Sequence, residues 1–299
     1  MSSKKREPET ITLDLEEDEV LPEQQWLPSP RSGAGARRRE LPAVGFLETL
    51  NRELRGKLRE RGKRQRYPAG ASIVEIGEPC AGLRIVLSGQ ISVERMDTFS
   101  WAPLTTLNAG DLLGALEWEE ARTWEERIRA VGTLEVLFLS TAELQQLAAS
   151  EPTLSERLIR HSEDHLLQTL LGDHEIFQQL PVSCRRRLAS LGRRRRYRSG
   201  QLVFGPEMVF ASLFILSTGS LELSRPERRL SRLQRGALAG LEIALGDGLF
   251  QLSARAGREG LELFTLPYEE CAAALAEVGQ FSALQQLAVA QRIQGLGEF

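Results

Sequence analysis

The strongest constraint on this chain is that one stretch of it is written twice. Tyr67, Gly70, Leu83, Ile85, Gly89 and Val93 recur as Tyr197, Gly200, Leu213, Ile215, Gly219 and Leu223, every pair 130 positions apart (197 − 67 = 130). A constant offset is what duplication of a structural unit leaves behind. Within each copy, aliphatic residues cluster between glycines, the pattern of short antiparallel strands. Glycine at 70, 89, 200 and 219 suits the positive φ of sheet corners.

A chain of 299 residues has room for two domains, and 41% hydrophobic residues are enough for two cores. The repeat places a first domain at 41–171 and a second at 176–297. A net charge of −3 with a pI near 5.9 argues against a general nucleic-acid coat. Cys80, Cys184 and Cys271 are far apart and lack paired metal spacing, which fits a reducing compartment. The start, MSSKKREPET, has no apolar leader region, and no run of ~18 apolar residues follows. The reading is of a soluble, cytoplasmic protein with no membrane partner.

Residues 1–40 run from basic to acidic to a Pro/Ser/Gly/Arg stretch, too polar to offset the entropy of ordering, so a disordered tail is predicted. Within it, Ile11, Leu13 and Leu15 alternate with polar residues ahead of Glu16–Glu19. They are either a chance cluster in a solvated tail or a docking motif for a protein partner. Phe46, Leu47, Leu50, Leu54 and Leu58 fall at helical spacing and predict a leading amphipathic helix. Strands are predicted over 65–67, 72–76, 83–87, 90–95, 104–107, 128–131 and 135–139, then a helix over 141–149. Pro152 can open a long connecting helix with Leu154, Leu158, Ile159, Leu166, Leu167 and Leu170 on its apolar face. The second copy starts at Phe177 and runs through strands to Leu266, with closing helices over 268–293. A hinge between the domains is the default expectation.

The leading helix, the glycine-cornered strands, the Gly110-Asp111-x-x-Gly114 loop, the Ile128-Arg129-Ala130 strand and the closing helices together resemble the cyclic-nucleotide-binding domain. The resemblance implies two antiparallel β jelly-rolls (double-stranded β-helices) with flanking helices, mainly β within an α+β class. It also implies a ligand cassette, Gly-(Glu/Asp)-x-x-Gly-Glu-(Leu/Ile)-Ala, then a short helix and Pro-Arg-x-Ala. In that family the glutamate takes the ribose hydroxyl, while the arginine and helix N–H groups hold the cyclic phosphate. Copy one keeps Gly110, Asp111 and Gly114 but has Ala115 at the glutamate position and Trp124 at the arginine position. Copy two keeps Gly236 and Gly240, with Leu241 and Phe250 at those positions. An unpaired buried charge costs about 3–5 kcal/mol, so a micromolar phosphate site would become roughly millimolar. The aromatic rings are also expected to fill the cavity. Against this, Glu242-Ile243-Ala244-Leu245 matches the motif after a one-residue insertion, with Arg255 as phosphate group. The bland alternative is a surface glutamate and a strand arginine.

His161 and His165 stand one helical turn apart, a spacing that can hold zinc but that suits a polar helix face as well. Arginine clusters at 37–39, 59–66 and 193–198 read as solvated faces or a salt-bridged protein interface. Nucleic acid is disfavoured because the chain reaches Phe299 about one helix beyond copy two, too soon for a helix-turn-helix. No Gly-x-Ser-x-Gly, phosphate loop or Cys–His pairing marks an enzyme. The sequence therefore predicts a non-catalytic regulatory or scaffold protein that works through protein contacts, with no cofactor and no metal. Its alternative is a cyclic-nucleotide or small-ligand sensor using the second domain. Val278, Phe281, Leu284, Leu287 and Ala288 either pack on copy two or form a homodimer seam.

Overall fold

A computed structural model describes residues 40–96, 100–206, 208, 211–225, 228–245 and 252–294. Ile11, Leu13, Leu15 and Phe250 therefore lie outside the described residues. The chain forms two antiparallel six-stranded sheets with flanking helices.

In the N-terminal half, β1 (Lys63–Tyr67), β2 (Ser72–Val74), β3 (Gly82–Met96), β4 (Trp101–Leu107), β5 (Leu112–Leu113) and β6 (Arg127–Ser140) join in the order β1-β6-β3-β4, with β2 on β6 and β5 on β3. The C-terminal half carries β7 (Arg193–Tyr197), β8 (Leu202–Phe204), β9 (Ser212–Arg225), β10 (Arg228–Leu233), β11 (Leu238–Ala239) and β12 (Ser253–Pro267). Their order is β7-β12-β9-β10, with β8 on β12 and β11 on β9, strand for strand the same.

The predicted strands 83–87 and 90–95 are one strand, β3, and 128–131 and 135–139 are one strand, β6. Gly89 (φ 83°) and Gly132 (φ 74°) bend these strands without ending them. A Cβ at Gly89 would stand 2.4 Å from the Thr133 carbonyl oxygen, and one at Gly219 2.2 Å from that of Gly260. Side chains do not tolerate such approaches, so glycine is a requirement of the bend. The predicted leading helix is likewise two pieces. A 3₁₀ turn, Gly45–Thr49, precedes α1 (Arg52–Arg61), and the break falls where the Asn51 side chain accepts the Leu54 N–H at 2.8 Å and caps a new helix. All five predicted apolar residues are still buried.

After α2 (Ala115–Glu119) and α3 (Thr141–Ser150), the helix α4 (Thr153–Asp173) crosses between the halves without a break. Leu154 and Leu158 pack in the N-terminal core, while Leu167, Leu170 and Leu171 pack in the C-terminal one. The helix thus shares its apolar face between the two cores. The helix α5 (Val182–Leu191) then leads into β7, and α6 (Tyr268–Glu277) and α7 (Phe281–Gln294) close the fold. Leu284 and Ala288 are buried in the C-terminal core, with Val278, Phe281 and Leu287 packed against it, so this face packs on its own half. No helix among the described residues is long and apolar enough to cross a membrane.

Candidate functional site

The first cassette is built by backbone. Gly110 (φ 91°) donates its N–H to the Val86 carbonyl at 2.8 Å, and its own carbonyl accepts from Phe46 at 3.0 Å. A Cβ there would collide with Val44 and Gly45. Gly114 (φ 95°) caps α2 in the left-handed conformation, and a Cβ there would stand 2.7 Å from the Gly82 carbonyl oxygen. Ala115 is 1% exposed and Trp124 2%, Trp124 lying in a cluster with Tyr67, Ile73, Val74 and Ile128. The Trp124 carbonyl accepts from Gly77 and its N–H donates to Glu78, which pins the ring into the sheet's core.

In the first cassette the aromatic ring lines a cavity rather than filling it, and Phe250 of the second lies outside the described residues. A cavity of about 550 Å³ opens beside Ala115, Glu117 and Trp124. Trp124 forms part of its wall but packs sideways among aliphatic residues. Leu104 and Leu107 of β4, Leu166 of α4, and Arg194, Arg235 and Glu262 of the C-terminal half complete the enclosure.

Asp111 is drawn into a second contact. Its Oδ2 accepts the Asn108 N–H at 2.7 Å, and His165 Nε2 lies 3.4 Å from the same oxygen. His161 Nε2 is 4.0 Å from Oδ1. The two histidines thus converge on the cassette carboxylate from α4. Burial alone would raise the Asp111 pKa, but His165, the Asn108 N–H and His161 outweigh it and hold it below the usual aspartate range.

An ion cluster locks α2 against the C-terminal sheet. Arg194 donates from Nη2 to Glu262 at 2.6 Å and lies 3.0 Å from Glu120 through Nη1. Arg196 pairs with Glu262 at 3.3 Å and also with Glu120, and Arg122 pairs with both carboxylates. Glu120 and Glu262 are 6% and 10% exposed at their side chains. Burial pushes the Glu262 pKa up, and Arg194 and Arg122 override it, leaving it below the glutamate range. Two residues of the arginine run at 193–198, Arg194 and Arg196, thus enter an internal salt-bridged contact, while Arg193, Arg195 and Arg198 are exposed. The run at 59–66 sends Arg64 and Arg66 to Glu135.

The second cassette is packed differently. Gly236 (φ 81°) and Gly240 (φ 76°) keep the turns. Leu241 begins a 3₁₀ turn, Leu241–Leu245, is 1% exposed, and sits with Leu238, Ala244, Leu284 and Ala288 in one cluster. Arg255 is exposed and donates from Nη1 to the Gly200 carbonyl at 3.0 Å. Arg129 does the same to Gly70 in the first half, at 2.6 Å. The geometry therefore commits Arg255 to a turn that both halves share.

Sequence reasoning passed over Glu117, Glu120, Arg122 and Arg235. Glu117 carried a signal, being the first carboxylate of the cassette helix after the vacated position. The others meet only because of how the halves dock.

Residues 64–151 match the family profile of the cyclic nucleotide-binding domain. A search of curated proteins finds no match. Among solved structures, the regulatory domain of Toxoplasma gondii PKA with cAMP is 14% identical, with a TM-score of 0.40 over 85% of this chain and 95% of that one. The regulatory subunit of a cAMP-independent protein kinase A from Trypanosoma brucei is also 14% identical, with a TM-score of 0.36 over 78% and 81%. The Thermus thermophilus catabolite activator protein is 23% identical, with a TM-score of 0.36 over 38% and 54%.

Proposed function

We propose that this is a non-catalytic regulatory or scaffold protein made of two cyclic-nucleotide-binding-like domains, 41–171 and 176–297, and that neither cassette holds a cyclic nucleotide by that family's usual chemistry. The reading is carried by the chemistry at the positions that the resemblance assigns to ligand. Ala115, Trp124 and Leu241 are buried, apolar and packed into cores. None of them can ion-pair with a phosphate or accept a ribose hydroxyl. Such a protein works through its surfaces, with residues 1–40 and their Ile11, Leu13 and Leu15 as the docking segment for a protein partner.

Thermal melting of the full chain with cyclic AMP and cyclic GMP tests the first part. A ligand at a thousandfold its Kd stabilises by about 4 kcal/mol, so a real site shows plainly. No shift is expected below millimolar nucleotide, and a shift at micromolar nucleotide overturns the reading. Affinity capture with and without residues 1–40 tests the second, since a partner retained equally by both forms removes the docking role.

A further inference from the structure

The cavity between the halves carries two ionisable groups without an ion-pair partner among the described residues. Arg235, in the turn from β10 to β11, holds only the Ser217 carbonyl, 2.9 Å from Nη1. Its charged surroundings are Arg95, which repels it, and the more distant carboxylates of Asp173 and Glu126. Glu126 is already paired with Arg95. Burial is the main force on Arg235 and depresses its pKa, yet a guanidinium does not give up its proton in a protein. Glu117, on the α2 wall, has its pKa pushed up by burial and by Glu126, against its own backbone N–H and the charges of Arg122 and Arg194. Leu104, Leu107 and Leu166 supply an apolar wall.

A cavity of about 550 Å³ is of the size that proteins use for small organic ligands. A desolvated guanidinium facing such a space offers a carboxylate or phosphate two parallel hydrogen bonds. We propose that this cavity binds an amphipathic organic anion, with its acid group on Arg235 and its apolar body against Leu104, Leu107 and Leu166. The cation is supplied by the C-terminal half rather than by the cassette, so the proposal rests on the preceding reading only in that the cassette takes no cyclic phosphate. A protonated or hydrogen-bonded Glu117 tolerates the bound anion and selects for a ligand carrying a donor group.

The test is fluorescence titration of the full chain with the apolar sulfonate 1-anilinonaphthalene-8-sulfonate and with its neutral relative N-phenyl-1-naphthylamine. Saturable binding of the sulfonate is expected, displaced by decanoate or decyl phosphate and not by decanol. Which of the two acids displaces better tells a carboxylate ligand from a phosphate one. Arg235→Met should weaken the sulfonate tenfold or more and leave the neutral probe within about twofold. Leu104→Trp, which adds bulk to the apolar wall and leaves Arg235 in place, should weaken both probes alike. Absence of saturable binding, equal effects of Arg235→Met on both probes, or sulfonate binding unaffected by Leu104→Trp would each overturn the proposal. Displacement of the sulfonate by micromolar cyclic AMP would support an anion site here and refute the proposed function instead. The two ideas therefore fail separately.

Discussion

The same cross-strand ion pair stands in both halves and does different work in each. In the first, Arg64 and Arg66 of β1 reach Glu135 of β6. In the second, Arg194 and Arg196 of β7 reach Glu262 of β12. Arg64, which matches Arg194, is 26% exposed at its side chain and Arg66 is 64%, so the first set is open to water on one side and worth less. Arg194 is 7% exposed because Glu120 and Arg122 of the N-terminal half cover it. A similar arginine–glutamate arrangement is thus an internal joint in one half and a more open contact in the other, and burial changes what each charge is worth. The cassettes diverge in the same sense. The closing helix α7 packs on the second and leaves Leu241 in a core, whereas the first faces the long helix and the other sheet across a cavity.

Substitution of the matched carboxylates breaks this comparison most sharply. Glu262→Gln should cost about 3–5 kcal/mol, because the buried Arg194 loses one of its two counter-ions. Glu135→Gln should cost about 1 kcal/mol or less. Urea denaturation of both variants reads the difference, and equal midpoints would show that the joint contributes no more than a surface pair. The joint also has a pH signature. The Glu262 pKa is held below its unfolded value, so its contribution is complete above about pH 4.3 and is lost as the pH falls through the folded pKa.

The cassettes give the next largest contrast. Leu241→Ala should destabilise by about 2–5 kcal/mol, as expected of a leucine in a closed core. Leu116→Ala, at the half-buried edge of the open cavity, should cost about 1 kcal/mol. Similar losses at both positions would mean that the cavity collapses in solution. Where the halves agree, the effects should agree too. Gly89→Ala and Gly219→Ala force a side chain into the same bend and should each cost about 1–3 kcal/mol.

Those glycines are also the part of the fold most legible in the amino-acid sequence. Gly70, Gly89, Gly200 and Gly219 can be read there because a residue type dictated by φ survives any change of neighbours. The apolar residues at 115, 124 and 241 are legible as missing chemistry. What they do instead is not, since a buried Trp124 either fills a pocket or lines it, and only packing decides. The joint escapes because Glu120 and Arg194 are neighbours only through docking of the halves, which leaves no periodicity in the chain. The continuous strands and the broken leading helix depart from expectation for a local reason. A glycine bend and an asparagine cap look alike in sequence whether the hydrogen-bond ladder passes through or stops.

The last and smallest effect concerns α4, where His161 meets Asp111 from the cassette loop, His165 from its own helix and the ring of Phe46, whose centroid lies 5.4 Å away. In the second half Ala237 follows Gly236 where Asp111 follows Gly110, so no such pair forms there. Burial lowers the His161 pKa, Asp111 opposes the shift and His165 adds to it. A base whose folded pKa lies below its unfolded value of about 6.5 binds its proton more readily when unfolded. Stability should therefore begin to fall as the pH drops below about 6.5 and continue to fall until the folded pKa is passed. Asp111, whose pKa is lowered, loses its contribution only at much lower pH, below the ordinary aspartate value of about 3.9. His161→Phe, which keeps the ring against Phe46 and removes the proton site, should shrink the drop in urea midpoint between pH 7.5 and pH 5.5. An unchanged drop would assign the acid sensitivity to some other group and leave the convergence on Asp111 a purely structural contact.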